Sequence, residues 1–201
     1  MDFTVLKENL ERLGYQVTEF DTKEDATEYL DSRIDNKTVG FGGSMTLKEM
    51  ELSDKLEKHN QVLWHWNVPE GKSGADILKE AQTADIYISS VNGIAETGEI
   101  INIDGNCNRV AGIMFGHEKV YLVAGENKVA PDYDKALYRA RNIAAPLNAK
   151  RLGKKTPCAA KGDKCYNCTS PERICRGLSV FWTKPSGREY EIILIHENLG
   201  Y

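Results

Sequence analysis

Four cysteines fall within eighteen residues, in the pattern Cys158-x6-Cys165-x2-Cys168-x6-Cys175. Four soft thiolates at this density suit zinc or an iron–sulfur cluster, and the central Cys-x2-Cys lets two sulfurs reach one metal centre. The spacing is neither that of a ferredoxin nor that of a zinc ribbon, so the choice between the two metals stays open. Disulfides fit poorly with a reducing compartment; four unrelated thiols are the other alternative. The fifth cysteine, Cys107, stands apart and reads as a small buried residue.

A second group suits an anionic ligand. The run Val39-Gly40-Phe41-Gly42-Gly43-Ser44-Met45-Thr46 passes from a strand through a Gly-Gly-Ser turn into a helix. Such a turn brings backbone amides close to a ligand, with the Ser44 and Thr46 hydroxyls as further donors. It lacks the Gly-Lys-Ser/Thr ending of a P-loop and is not a complete dinucleotide fingerprint; no flavin or NAD motif is found. A tight turn capped by Ser44 is the structural alternative. Downstream lie Glu96-Thr97-Gly98 and Asp104-Gly105-Asn106-Cys107-Asn108-Arg109. Glu96 can serve as base, nucleophile or acceptor of a ligand hydroxyl, and Arg109 as a bidentate partner for carboxylate or phosphate. Asp104, Asn106 and Asn108 are also residues that make turns. The histidines, His59, His65, His117 and His196, are scattered, and none stands at metal-ligand spacing from another.

These residues need a scaffold. Helical periodicity marks residues 2–14, from Asp21 or Thr22 to about Ile34, Thr46–Glu51, Gly74–Ala84 and Pro131–Ala144. Strand-like runs occupy Gln16–Phe20, Thr38–Phe41, Gln61–Trp66, Asp85–Ser90, Gly98–Ile103 and Val120–Ala124. Alternation of this kind predicts an α/β domain with a mostly parallel sheet flanked by helices. Polar residues just past the strand ends then gather at one crevice, which would unite Gly42–Thr46 with the segment from Glu96 to Arg109. Residues 153–177 lack apolar periodicity and read as a cysteine-rich loop. Leu178–Thr183 and Tyr190–His196 read as a C-terminal β-hairpin that completes the domain begun by residues 1–152.

Charge is unevenly spread. The chain carries 26 Lys/Arg and 30 Asp/Glu, yet residues 150–188 hold ten of the basic residues and only two acids. Cationic neighbours suit four thiolates. They lack an interleaved aromatic series, so a nucleic-acid partner is not expected. No uncharged stretch approaches the roughly 20 apolar residues of a membrane span. The opening Met1-Asp2-Phe3-Thr4 has neither the basic nor the apolar region of a signal peptide, and a cytoplasmic protein is expected.

Six ordered motifs point to one family. Phe41-Gly42-Gly43-Ser44-Met45-Thr46-Leu47, Ile94-Ala95-Glu96-Thr97-Gly98, Asp104-Gly105-Asn106, Asn108-Arg109-Val110-Ala111, Val123-Ala124-Gly125-Glu126-Asn127-Lys128 and Ala145-Pro146-Leu147-Asn148-Ala149-Lys150-Arg151-Leu152 together resemble the lactate-utilisation (LUD) domain family over nearly the whole chain. The cysteine segment resembles that of a short subgroup. This resemblance implies a fold similar to the ribose-5-phosphate isomerase, glucosamine-6-phosphate deaminase and CoA-transferase superfamily, whose glycine-rich turns bind phosphates or CoA. It implies kinship with lactate utilisation protein C-like members, hence a place in L-lactate oxidation beside an iron–sulfur protein partner. It adds Gly125, Asn127 and Lys128 to the expected ligand-binding residues, with Arg109 or Lys128 pairing a substrate carboxylate. In CoA-transferases a Glu attacks the thioester; Glu96 is the position to which that role would pass, in a different surrounding motif. The alternative is a phosphate-, nucleotide- or CoA-binding regulatory or scaffold protein without catalysis.

Overall fold

The computed structural model describes residues 1–201. Its centre is a six-stranded parallel sheet built from β1 (Gln16–Phe20), β2 (Thr38–Phe41), β3 (Gln61–Leu63), β4 (Ile86–Ser90), β7 (Lys119–Gly125) and β10 (Glu189–Ile195). The strand order is β1-β10-β7-β4-β2-β3. A second sheet has the order β8-β5-β6-β9, from β5 (Gly93–Ala95), β6 (Ile100–Asp104), β8 (Val129–Ala130) and β9 (Gly177–Phe181).

The parallel sheet is buried on both faces, and the strand period of two sorts its side chains between two cores. On β7 and β10, Val120, Leu122, Ile192 and Leu194 pack with the helices α1 (Thr4–Arg12) and α5 (Gly74–Ala81). Tyr121, Val123, Ile193 and Ile195 pack on the other side with α2 (Lys23–Arg33), α3 (Met45–Glu49) and α4 (Leu52–Leu56). Thr22 starts α2 as expected, its side chain accepting from the Asp25 amide at 3.1 Å. The later helices are α6 (Asn108–Met114), α7 (Tyr133–Arg139), α8 (Ala145–Arg151) and α9 (Pro157–Lys161). A π turn at Ala140–Ala144 joins α7 to α8, so the helix expected to end at Ala144 runs on to Arg151. The π turn ends two residues before Pro146, where a regular helix would miss an amide and meet the proline ring. No helix is long and apolar enough to cross a membrane.

The C-terminal hairpin is corrected. β9 pairs antiparallel with β6 in the small sheet, whereas β10 enters the large sheet between β1 and β7, parallel to both. A hairpin leaves one face solvated, but Tyr190–Ile195 is apolar on both faces and is fully covered only in a central position. Its one acid, Glu191, is buried and satisfied by Lys119 at 2.8 Å, Thr18 at 2.8 Å and Tyr29 at 2.7 Å. The cysteine segment likewise contains a short helix, α9, where an irregular loop was expected. Because β10 is central, amides of Ile192, Ile193 and Leu194 are expected to exchange with deuterium only through global unfolding, and Ile193→Ala to cost about 2–5 kcal/mol. Exchange there by local fraying, read by mass spectrometry, would contradict the central placement.

Candidate functional site

A crevice of about 460 Å³ opens at the carboxyl edge of the parallel sheet. Its walls include Gly43, Ser44 and Thr46 after β2, His65 and Trp66 after β3, Ser90 at the end of β4 and Asn92 after it. The end of β6, the following turn and the start of α6 contribute Asp104, Asn106, and Asn108 with Arg109, and Lys128 follows β7. Parallel strands end on the same side, so loops far apart in sequence converge there. A third wall comes from the cysteine segment, through Pro171, Glu172, Arg173, Ile174 and Arg176.

Three cations stand in or behind this crevice. Arg109 is 9% exposed, Lys128 3% and Arg139 8%. Arg109 donates through Nη1 to Ser90 O at 3.1 Å and to Asn102 Oδ1, and through Nη2 to Asn92 Oδ1 at 2.8 Å and Ile103 O at 2.7 Å. Its terminal nitrogens are committed to the protein's own neutral acceptors, so it ties β4 to β6 and supplies positive potential; the expected bidentate grip on a ligand is corrected accordingly. Burial lowers its pKa, with Asp104 opposing. Arg139 donates to the main-chain oxygens of Asn127, Asn92 and Tyr201, and burial brings its pKa to about 10. Lys128 donates to the Tyr201 main-chain oxygen alone. Burial, then the charges of Arg139 and Arg109, bring its pKa to about 7, against the pull of Glu49.

The glycine turn is both a capped turn and part of the wall. Ser44 Oγ accepts from the Leu47 amide at 3.2 Å, and Thr46 donates to Leu199 O at 3.2 Å. Gly42 lies one layer behind: a Cβ there would meet Ser89 Oγ at 2.6 Å and the Arg109 stem at 2.9 Å, so only glycine admits the arginine. Asp104 accepts from the amides of Asn106, Arg109 and Val110, holding the turn and capping α6. Gly125 and Asn127 act on the terminal segment. A Cβ on Gly125 would meet Glu197 O at 2.5 Å, while Asn127 accepts from the Leu199 amide at 3.1 Å and donates to Gly200 O at 3.3 Å.

Glu96, Thr97 and Gly98 are not brought to the crevice, and their expected place there is corrected. Residues 93–95 form a strand of the small sheet, which carries the following turn out against α1, where Asn9 donates to Glu96 O at 2.7 Å. Thr97 is exposed and bonds to Glu99. Cys107 is exposed, with φ of 61°, rather than buried. Sequence reasoning missed His65, Trp66 and Arg139. His65 lines the crevice with Nδ1 unpartnered, and burial lowers its pKa. β3 ends at Leu63, short of the expected Trp66, so His65 lies past the strand end rather than within the strand, and no local signal marked it.

Cys158, Cys165, Cys168 and Cys175 are all free thiols and line one small cavity behind the Pro171–Arg176 wall. No three His, Cys, Asp or Glu side chains converge on a common metal-binding point. Three of the sulfurs are instead engaged singly. Asn167 N donates to Cys165 Sγ at 3.3 Å, Arg173 Nη2 to Cys175 Sγ at 3.3 Å, and Thr156 Oγ1 is 3.2 Å from Cys158 Sγ. Burial raises the Cys165 pKa, but hydrogen bonds from Arg141 and the Asn167 amide and the charges of Arg141 and Arg173 outweigh it, leaving it below the ordinary value.

The LUD domain family model matches residues 3–195. A solved structure of a DUF162 family protein from Deinococcus radiodurans is similar in fold, with a TM-score of 0.55 and 12% identity. The match covers 95% of this chain and 94% of that one. No curated protein matches. The six-stranded parallel sheet flanked by helices agrees with the expected fold class.

Proposed function

The chain belongs to the LUD domain family, and from that premise we propose that it binds a small organic anion of the hydroxy-acid class in the sheet-edge crevice, as a component of lactate utilisation with an iron–sulfur protein as electron partner. The observation that carries the anion site is Lys128. Its ammonium is buried beside two further cations, and its one hydrogen-bond partner is a main-chain oxygen of Tyr201. A ligand carboxylate or phosphate oxygen taking the place of that oxygen would accept the same charge-assisted hydrogen bond. The Tyr201 oxygen thus marks a ligand-oxygen position, with Ser44 and Thr46 on the adjoining wall.

A second reading is favoured by size and rim charge. The crevice is larger than a three-carbon acid fills, and Arg151, Lys154 and Arg176 line it beside Trp66. A phosphorylated or CoA-type ligand would use these outer cations and the aromatic face.

Calorimetric titration with L-lactate, inorganic phosphate and coenzyme A at pH 6 and pH 8.5 tests both readings. Anion contact favours the ammonium, whose pKa without ligand is about 7. Affinity is therefore expected to be highest below pH 7 and to fall by up to about tenfold per pH unit above it, until the raised pKa of the complex is reached. Binding of phosphorylated compounds alone overturns the hydroxy-acid reading; binding of none overturns the anion site.

A further inference from the structure

We propose that Cys158, Cys165, Cys168 and Cys175 form an all-thiolate site for one soft metal centre, a zinc ion or an iron–sulfur cluster, and that this centre braces the wall of the crevice. The first support is a shared cavity. Four residues spread over the segment line a single cavity, although no strand pairing or apolar core among residues 157–175 would gather them. Such a segment buries too little apolar surface to offset its ordering entropy, and metal–thiolate bonds supply what burial does not.

The second support is the surroundings of the sulfurs. The Asn167 amide and the Arg173 guanidinium already donate to sulfur, which is how outer-shell groups stabilise a thiolate centre. Arg141 also lines the cavity and donates to Asn167 Oδ1 at 2.7 Å, while Asn142 Oδ1 accepts from the Cys165 amide at 3.2 Å. Both residues sit on the π turn, a helical irregularity that recurs at functional sites. The sulfurs share the cavity without meeting at a point, so metal binding requires them to turn inward, each thiol releasing its proton to solvent.

The third support is adjacency. Arg173 and Ile174 line the cysteine cavity and the anion crevice alike, and Ala145 of α8 is common to both. Arg176 donates to the main-chain oxygens of Arg173 at 3.0 Å and Pro171 at 2.5 Å, so this wall is cross-linked up to the residue next to Cys175. Loss of the metal would free residues 171–176 and loosen the crevice. Only this last consequence rests on the anion-site reading.

The full chain should be purified anaerobically and measured for zinc, iron, acid-labile sulfide and visible absorption, before and after reconstitution with zinc or with iron and sulfide. About one equivalent of zinc in colourless protein identifies the ion; iron with matching sulfide in brown protein identifies the cluster. Cys165→Ser/Cys168→Ser is expected to lose at least about tenfold in metal content and to be cut by trypsin within residues 153–177 at least about tenfold faster, as lost ligation becomes local unfolding. Cys107→Ser, outside the cavity, is expected to retain the metal. Protein that takes up no metal under any condition overturns the proposal, as does retention of metal with unchanged protection in the double variant. These readouts require no ligand for the crevice, so the metal site can fail while the anion site stands, and the reverse.

Discussion

Lys128→Met is expected to remove anion binding from the crevice while leaving the fold at least as stable as before. The lysine is 3% exposed, and its charge has only the Tyr201 main-chain oxygen as a hydrogen-bond partner. A hydrogen bond to a charged group contributes about 1.5–3 kcal/mol, so its loss corresponds to about a 10- to 150-fold fall in affinity. Methionine keeps much of the side-chain volume and brings no charge into the interior. The Tyr201 oxygen keeps a donor, Arg139 Nη1 at 3.2 Å, so the substitution leaves no orphaned acceptor there.

The pH dependence gives a second readout. Because the folded pKa of Lys128 lies near 7, well below its ordinary value of 10.5, the folded state binds fewer protons than the unfolded state between those limits. The cost of burying the ammonium is fully present below pH 7 and is relieved as pH rises from 7 toward 10.5, so Lys128 contributes stability that increases with pH in that window. Lys128→Met should lack that contribution. Unchanged affinity in the variant, or a marked loss of stability at pH 6, would falsify the assignment of Lys128 as the anion-facing cation.

Arg109→Met is expected to act on the fold itself. Removing the guanidinium strips donors from Ser90 O, Asn102 Oδ1, Asn92 Oδ1 and Ile103 O at once. Asn92 Oδ1 retains the Ile103 amide at 2.8 Å and Ser90 O the Ser89 hydroxyl at 3.3 Å, which leaves Asn102 Oδ1 and Ile103 O without that donor, and Asn102 already carries an amide nitrogen without a partner. Each unsatisfied buried group costs about 1–3 kcal/mol, so a total of about 3 kcal/mol or more is expected in urea denaturation, a large share of the stability of a single domain. Arg109→Lys should recover only part, since an ammonium offers its donors from one point and cannot span the fork. If Arg109→Met instead weakens anion binding at an unchanged denaturation midpoint, the arginine is a ligand residue and its assignment as a tie between β4 and β6 is wrong.

Much of the scaffold was legible because its signals are local. Gln16–Phe20 and Thr38–Phe41 form strands with the bounds their residue types indicated, and Thr22 and Ser44 cap the helices they precede. The glycine turn, Asp104, Asn106, Asn108 and Lys128 do share the crevice. Glu96 was misplaced because Gly93–Ala95 is only three residues long. A strand that short leaves almost no periodic trace, yet it carries the following turn away from the crevice. Arg109 was read as a ligand-binding fork because its type and position allow that; its neutral acceptors lie on β4, β6 and the β4–β5 link, whose proximity no local pattern records.

Local patterns in the chain are enough for the alternation of elements, the strand-end placement of the glycine turn and the density of thiols in one short segment. These depend on side-chain period, capping chemistry and residue type, which act over a few positions. Pairing was decided only in three dimensions. The run Tyr190–Ile195 says that both faces of a strand will be covered, but not that β1 and β7 will be the strands beside it. The same long-range pairing brings Lys128, Arg139 and the Tyr201 oxygen together, because it lays the chain that follows β10 along the carboxyl edge where β7 also ends. Burial then decides the chemistry: in water Lys128 would be an ordinary solvated cation, whereas enclosed beside Arg139 and Arg109 its pKa is brought down to about 7, the property on which the proposed anion site depends.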